Sequence, residues 1–467
     1  MPRIPYKAPA KGTSVVGDAI RERRGARGLT PLDQTLLNAP EIANGWNTLL
    51  GAVRTRNSLP DDIRELMILR VAARNSAVFE WIHHAHVGED AGLTAQQLTI
   101  IRDLYTPLPT PASPAPLSAY QAAALRFADA STFNVNVPQA RIDELKEHLK
   151  DDQQLLEATA VVATYNMVSR LLVTLDVGDM GEGSVPLPET TQSEHDVEVE
   201  EGVKIHVKVA KRTDSAPWLV FVNSLMTNQK MWDFVLPRLS KTYNLITFDQ
   251  RGHGKSSVPP KPCTLEILAN DVATILSSLS IPTPIHAIIG VSQGGATSLA
   301  FAHHHTSLFN RLVACDTQAT SPAANAKAWD DRIALARSQG SMQGLADATV
   351  PRWFPQGNTS EFNKGGRREA FIYDMVTSTP IEGFAAGAAA LQGYDIYPGL
   401  AEKLKEKKVL FVAGERDGAL PGVLKTLKEN LEKEGVDASF QQITGAGHLP
   451  MVDAPQEWLD VVEKFLA

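Results

Sequence analysis

The chain has 467 residues, 43% apolar and 21% charged, too long for one ordinary domain, so two or three are expected. A formal net charge of −8 gives no electrostatic reason for a nucleic-acid or anionic-membrane partner. Two cysteines, Cys263 and Cys315, exclude a disulfide framework and argue against a cysteine-based metal site.

The N-terminus lacks the apolar stretch of a secretory signal, and no apolar run is long enough to span a bilayer. The expected location is the cytoplasm. Arg21, Arg23, Arg24 and Arg27 form a basic cluster interrupted by Glu22 and preceded by Asp18, which reads as a solvated helix or turn rather than a mitochondrial address.

Residues 1–180 read as an all-α domain. Leu59–Arg74 opens with Pro60, Asp61 and Asp62, which suit a helix N-terminus. Ile63, Leu66, Met67, Leu69, Arg70 and Val71 then recur at helical spacing. Further helical segments are predicted at Thr94–Leu104, Ala119–Ala130, Pro138–Leu149 and Gln154–Val173, with the proline-rich Thr106–Pro116 as a loop. The acidic, small-residue stretch from Gly178 to Glu200 reads as a linker, bounded at 181–199. From residue 200 to 467 short β-rich runs, at Trp218–Val222, Asn244–Phe248, His286–Ile289 and Val409–Val412, alternate with helical segments. That alternation implies a parallel sheet covered on both faces.

Gly290-Val291-Ser292-Gln293-Gly294 follows an apolar run and precedes a helical one, the strand–turn–helix setting of a G-x-S-x-G nucleophile elbow. Serine is a weak nucleophile at neutral pH and needs a base. His448 stands in a late loop before the final helix, and Asp417, after a buried strand, would orient the imidazole. The order Ser292, Asp417, His448 is the one an α/β-hydrolase uses. An oxyanion hole needs two backbone N–H groups, assigned here to Gln293 and Leu225. The turn holding Asp249, Arg251 and His253 reads as architecture, and His303–His305 as a solvated helix end.

Residues 200–460 resemble the 3-oxoadipate enol-lactonase branch of the α/β-hydrolases, through VNSLMTNQKMWD and through the segments DTQATSPAANAKAWDDRIALARSQGSMQGLADATVPRWFP and TPIEGFAAGAAAL. The resemblance implies a helical cap at about 318–395 and hydrolysis of a small lactone or ester through a Ser292 acyl-enzyme. It departs at Met226, where the branch usually has glycine. Any charge selection by Arg332, Arg337 or Arg352 is left open by the sequence.

Residues 40–105 resemble the carboxymuconolactone decarboxylase superfamily, including its alkylhydroperoxidase-D-like members, through LPDDIRELMILRVAARNSAVFEWIHHAHVGEDAGLTAQQL. Aligned on the peroxidase pattern, the relay glutamate is Glu65 and the histidine His84, while the cysteine positions hold Ala77 and Glu80. Thiol peroxidase chemistry is thereby excluded. Glu80 and His84 share a helix face, and with Glu65 they form a candidate proton relay for decarboxylation. The alternative is a buried pair that only satisfies a helical core. His83 and His86 read as surface positions. No metal or cofactor is expected.

Together the resemblances imply a bifunctional enzyme: decarboxylation of a carboxymuconolactone-type lactone, then serine-dependent hydrolysis of the enol-lactone, in the reverse of the domain order such fusions generally have. The alternatives are a monofunctional esterase or lactonase with an N-terminal oligomerisation domain, and a non-hydrolytic use of the fold. A homo-oligomer through residues 1–180 is expected, with a small molecule as the other partner.

Overall fold

The protein is described by a computed structural model covering residues 2–104, 107–181, 183–355 and 367–467. It divides into two compact units, Met1–Glu189 and Thr190–Ala467.

The first unit is built on the helix Asp61–Arg74, which buries every residue from Ile63 to Ala73. A helix buried all round is a core element rather than an amphipathic surface one. Helices Val78–Asp90, Ala95–Arg102, Ala119–Phe133 and Asp152–Thr174 pack around it, and Pro40–Thr55 packs on the last of these. Local sequence sets three of their starts: Thr94 with Gln97 and Ser118 with Gln121 form capping boxes, and Asp151 caps the helix Asp152–Thr174 by accepting from the Gln154 N–H. The loop expected at Thr106–Pro116 is non-helical from residue 107 onward; Thr106 lies outside the described residues. In the basic cluster, Arg21 pairs with Asp18 at 3.0 Å and Arg24 with Asp33 at 2.6 Å.

Arg70, on this helix, is fully buried. Its guanidinium bonds Asp129 at 2.7 Å and the carbonyls of Ile101 and Asp103 at 2.7 and 2.6 Å. Arg74 adds a bidentate pair to Asp129. Burial alone would push the Asp129 carboxyl up; the two guanidiniums outweigh it and hold the carboxyl down at about 2.

The second unit contains one eight-stranded sheet: β1 (Thr191–Glu200), β2 (Val203–Lys211), β3 (Trp218–Val222), β4 (Asn244–Phe248), β5 (Ile285–Val291), β6 (Phe309–Cys315), β7 (Lys408–Gly414) and β8 (Asp437–Ile443). The order is β1-β2-β4-β3-β5-β6-β7-β8. β1 pairs antiparallel with β2 and β2 with β4, while the remaining pairs are parallel. Every residue of β3 and β4 is buried; since successive side chains point to opposite faces, both faces are covered there.

Two expectations need correction. The sheet is mixed at one end rather than wholly parallel. The end of the expected linker, Thr191–Glu200, is the edge strand β1 rather than a connector. Only Val197 of that strand is buried; Val199 is half-buried against the core, and the other residues are polar or acidic, as suits an edge exposed to water. Composition alone therefore reads it as linker.

Between β6 and β7 the helices Ala323–Gln339, Gln343–Trp353, Arg367–Ser378 and Ile381–Ala389 make up the cap region; residues 356–366 of the expected cap lie outside the described residues. Among the described residues no helix is long and apolar enough to cross a membrane.

Candidate active site

β5 runs straight into the helix Gln293–His304 through Ser292, whose φ of 57° and ψ of −119° make a sharp elbow. So tight a turn excludes side chains from its flanks. A Cβ at Gly294 would collide with the carbonyl of Val222, and one at Gly290 with that of Gly294. The elbow is pinned from β6 and the residues after it: the Ser292 N–H donates to the Cys315 carbonyl at 2.9 Å, and the Thr317 hydroxyl donates to the Ser292 carbonyl at 2.8 Å. A non-glycine residue at positive φ is strained and persists where its surroundings over-determine it.

Ser292 faces a cavity of about 300 Å³ that is also lined by Leu225, Gln293 and His448. His448 lies in the loop after β8. Its Nδ1 is 2.6 Å from Asp417 Oδ2, and its ring stacks on Trp353 with centroids 5.4 Å apart. Asp417 lies just beyond β7. Burial would push its carboxyl up, but the charge and hydrogen bond of His448, with smaller help from Asp316 and Arg352, hold it below the usual carboxylate range. An ionised acid fixing one imidazole nitrogen leaves the other to act on a nucleophile.

The Leu225 loop is held from below. Met226 sits at φ 65°, a left-handed conformation that glycine adopts freely and methionine does not. Its N–H donates to His253 Nε2 at 3.0 Å, while His253 Nδ1 bonds the Arg251 carbonyl at 2.9 Å. Burial pushes the His253 imidazole down to about 4, so the neutral ring can accept from Met226. Asp249 accepts from the backbone N–H groups of Gln229 and Lys255, and Arg251 pairs with the buried Asp271 at 2.6 Å. All three residues of this turn are thus engaged in architecture.

Two arginines complete the cavity wall, Arg332 and Arg352. Arg332 stands over the Trp329 ring at 4.5 Å from its centroid, and its pKa is lowered first by burial and then by the charge of Arg352. Arg337 is elsewhere, in an exposed pair with Glu382 at 2.6 Å. His303 and His305 bond the Pro398 carbonyl and Asn270 and do not converge on a ligand site.

Sequence reasoning missed Asp316. It follows β6, is 1% exposed, and accepts the Gly414 N–H at 2.9 Å. A carboxyl oxygen of Asp316, one of Asp417 and a ring nitrogen of His448 all lie within 4.8 Å of one another. No local motif marks it, because its neighbours come from two later loops.

In the helical unit Glu65 Oε2 is 2.7 Å from His84 Nδ1, and His84 Nε2 is 3.2 Å from the Tyr165 hydroxyl, which accepts from Arg54 Nε at 2.5 Å. The structure therefore joins Glu65 and His84 as expected and extends the chain by Tyr165 and Arg54, which come from helices distant in sequence. Glu80 is 2% exposed, and neither carboxyl oxygen has a hydrogen-bond partner among the described residues. Burial pushes its carboxyl well up, opposed by the charge of Arg54, and burial lowers His84 against the pull of Glu65. His83 and His86 are exposed and bond backbone carbonyls of their own helix.

Residues 217–455 match the model of the alpha/beta hydrolase fold family, and residues 40–124 that of the carboxymuconolactone decarboxylase family. The chain is 31% identical over 247 residues to 3-oxoadipate enol-lactonase 2 of Acinetobacter baylyi, covering 53% of this chain and 87% of that protein. The crystal structure of the enol-lactonase from Burkholderia xenovorans LB400 is 30% identical with a TM-score of 0.52, covering 59% of this chain and 99% of that one. A hydrolase from Pseudomonas aeruginosa PA01 is 28% identical with a TM-score of 0.51, covering 59% and 98%. The eight-stranded sheet, the Ser292 elbow and these matches agree: the chain belongs to the alpha/beta hydrolase fold family and carries a carboxymuconolactone decarboxylase family region ahead of it.

Proposed function

We propose that the second unit hydrolyses a small anionic enol-lactone or ester of the 3-oxoadipate type, and that the first unit decarboxylates the lactone that precedes it. The observation that carries the hydrolase reading is the His448–Asp417 hydrogen bond of 2.6 Å beside a cavity that Ser292 shares with His448. His448 takes the Ser292 proton as the hydroxyl attacks the lactone carbonyl. The oxyanion that develops is met by the N–H groups of Leu225 and Gln293. Ring opening leaves an acyl-enzyme, and water activated by His448 releases the acid. Arg332 and Arg352 supply positive charge at the cavity wall for a substrate carboxylate.

For the first unit, a protonated Glu80 beside a neutral His84 would supply the proton that an enolate-like carbon needs after loss of carbon dioxide. The deep burial of Glu65, Glu80, His84 and Tyr165 favours the second reading, in which this unit only assembles the chain. Exposed Ile42, Leu49, Ile82, Leu156 and Met167 offer apolar surface for a second copy.

The test is to supply 4-carboxymuconolactone and follow carbon dioxide and 3-oxoadipate. The bifunctional reading expects Ser292→Ala to stop at the enol-lactone and Glu80→Gln to release no carbon dioxide. Wild type that hydrolyses the enol-lactone yet never releases carbon dioxide leaves only the lactonase reading.

A further inference from the structure

Asp316 is an acid that the hydrolase mechanism above does not use, buried against the acid that it does use. Its Oδ1 accepts the Gly414 N–H at 2.9 Å, while its Oδ2 meets no N–H or hydroxyl donor among the described residues. The carboxyl of Asp417 stands against that of Asp316, with an oxygen of one within 4.8 Å of an oxygen of the other. Two carboxylates this close in a buried site do not both ionise, and one of them keeps a proton.

The surroundings decide which. Asp417, from the loop after β7, has His448 Nδ1 at 2.6 Å from the loop after β8, and it feels the positive Arg352 of the cap helix Gln343–Trp353. Asp316, at the end of β6, has the Gly414 dipole from β7 and, next in the chain, the buried thiol of Cys315. Burial first, and then the charge of Asp417, push the Asp316 carboxyl well up. The backbone of Asp316 is also strained, at φ 45°, and is held there by its N–H bond to the Val412 carbonyl at 2.9 Å. Strain of this kind gathers at functional sites.

We propose that Asp316 is a positioning residue of the triad: it stays protonated and donates its carboxyl hydrogen to Asp417, so that His448 is oriented by a hydrogen-bonded pair of acids rather than by a lone carboxylate. The inference rests on the hydrolase reading of Ser292, Asp417 and His448. The shared proton fixes the Asp417 carboxylate in rotation and draws off part of its charge. His448 is then less readily protonated than it would be beside an isolated carboxylate, which keeps the base free at lower pH.

The full chain would be assayed on p-nitrophenyl acetate across pH, with Ser292→Ala as baseline. In Asp316→Ala, Asp417 loses its donor. The acidic limb of kcat/KM moves to higher pH, and kcat falls by about tenfold, one lost hydrogen bond to a charged group. Asp316→Asn has an amide that donates to Asp417 while its oxygen accepts from Gly414. It returns the limb to the wild-type position and restores most of the lost kcat. A limb that moves to lower pH in Asp316→Asn overturns the proposal, because it means a negative charge was removed. Should Asp316→Ala not fold, Asp316→Asn decides alone. The infrared difference between wild type and Asp316→Asn gives a readout without turnover. A protonated-carboxyl band at neutral pH that is lost in the variant supports the proposal, and a difference spectrum without such a band overturns it. Ester hydrolysis undiminished in Ser292→Ala refutes the hydrolase reading instead, and the infrared band still decides the state of Asp316.

Discussion

The two units each gather acids around a histidine, but they do so differently. At the hydrolase site the histidine lines an open cavity, and the acid beside it is drawn down by its partners. In the helical unit the histidine and both glutamates are shut inside, and Glu80, the acid with no hydrogen-bond partner among the described residues, is pushed up by burial. An acid that must stay charged needs a cation or donors within reach; one that must carry a proton needs their absence. The first arrangement suits a base that works on a nucleophile at a surface cavity. The second suits a proton store, or a core whose polarity is merely tolerated.

The comparison breaks most sharply at Ser292. Ser292→Ala is expected to lower kcat for ester hydrolysis by about 10⁶-fold, measured against an unchanged far-ultraviolet spectrum. Asp417→Asn is expected to lower it by about 10⁴-fold, since an amide stabilises the wrong imidazole tautomer. A loss of less than tenfold in Asp417→Asn would mean that the acid at this site is not Asp417.

How much of this was legible in the sequence follows the range of the interactions. The elbow is local: the glycines at 290 and 294, the serine and the strand and helix flanking them are fixed within ten residues, so motif and structure agree. Asp417 and His448 were readable because each follows a strand in an order the fold imposes. Asp316 and Thr317 touch the same site but meet it only through the pairing of β5, β6 and β7. Likewise Glu65 and His84 lie on successive helices, whereas Arg54 and Tyr165 reach them from the helices Pro40–Thr55 and Asp152–Thr174. The β1 strand was missed for the opposite reason. Its pairing is regular, but with one buried side chain its composition carries almost no signal.

A smaller effect separates the cavity from the buried cluster by charge. Arg352 lines the cavity, and a charge-assisted hydrogen bond to a substrate carboxylate contributes about 1.5–3 kcal/mol. Arg352→Met is therefore expected to raise KM for the anionic enol-lactone by about 10–100-fold and to leave KM for a neutral ester nearly unchanged. Equal losses on both substrates would show that the arginine shapes the cavity rather than reads charge.

The smallest effect lies in the helical unit and is one of stability. The Glu80 carboxyl is pushed well above its ordinary value in the folded chain, first by burial, with Arg54 opposing. The folded state then holds the proton more tightly than the unfolded state does. The stability gained is complete below the ordinary carboxyl value of about 4.3 and is lost as pH rises through the higher folded-state value. Glu80→Gln removes that titration while keeping the shape. Wild type and variant should melt at similar temperatures near pH 4, and the variant should become the more stable of the two as pH rises toward 8, by about 1 kcal/mol or more. If the variant is instead the less stable at pH 8, Glu80 is ionised and paired in the folded protein. The helical unit would then hold a charged cluster like that of the hydrolase site, and the contrast between the two would fall.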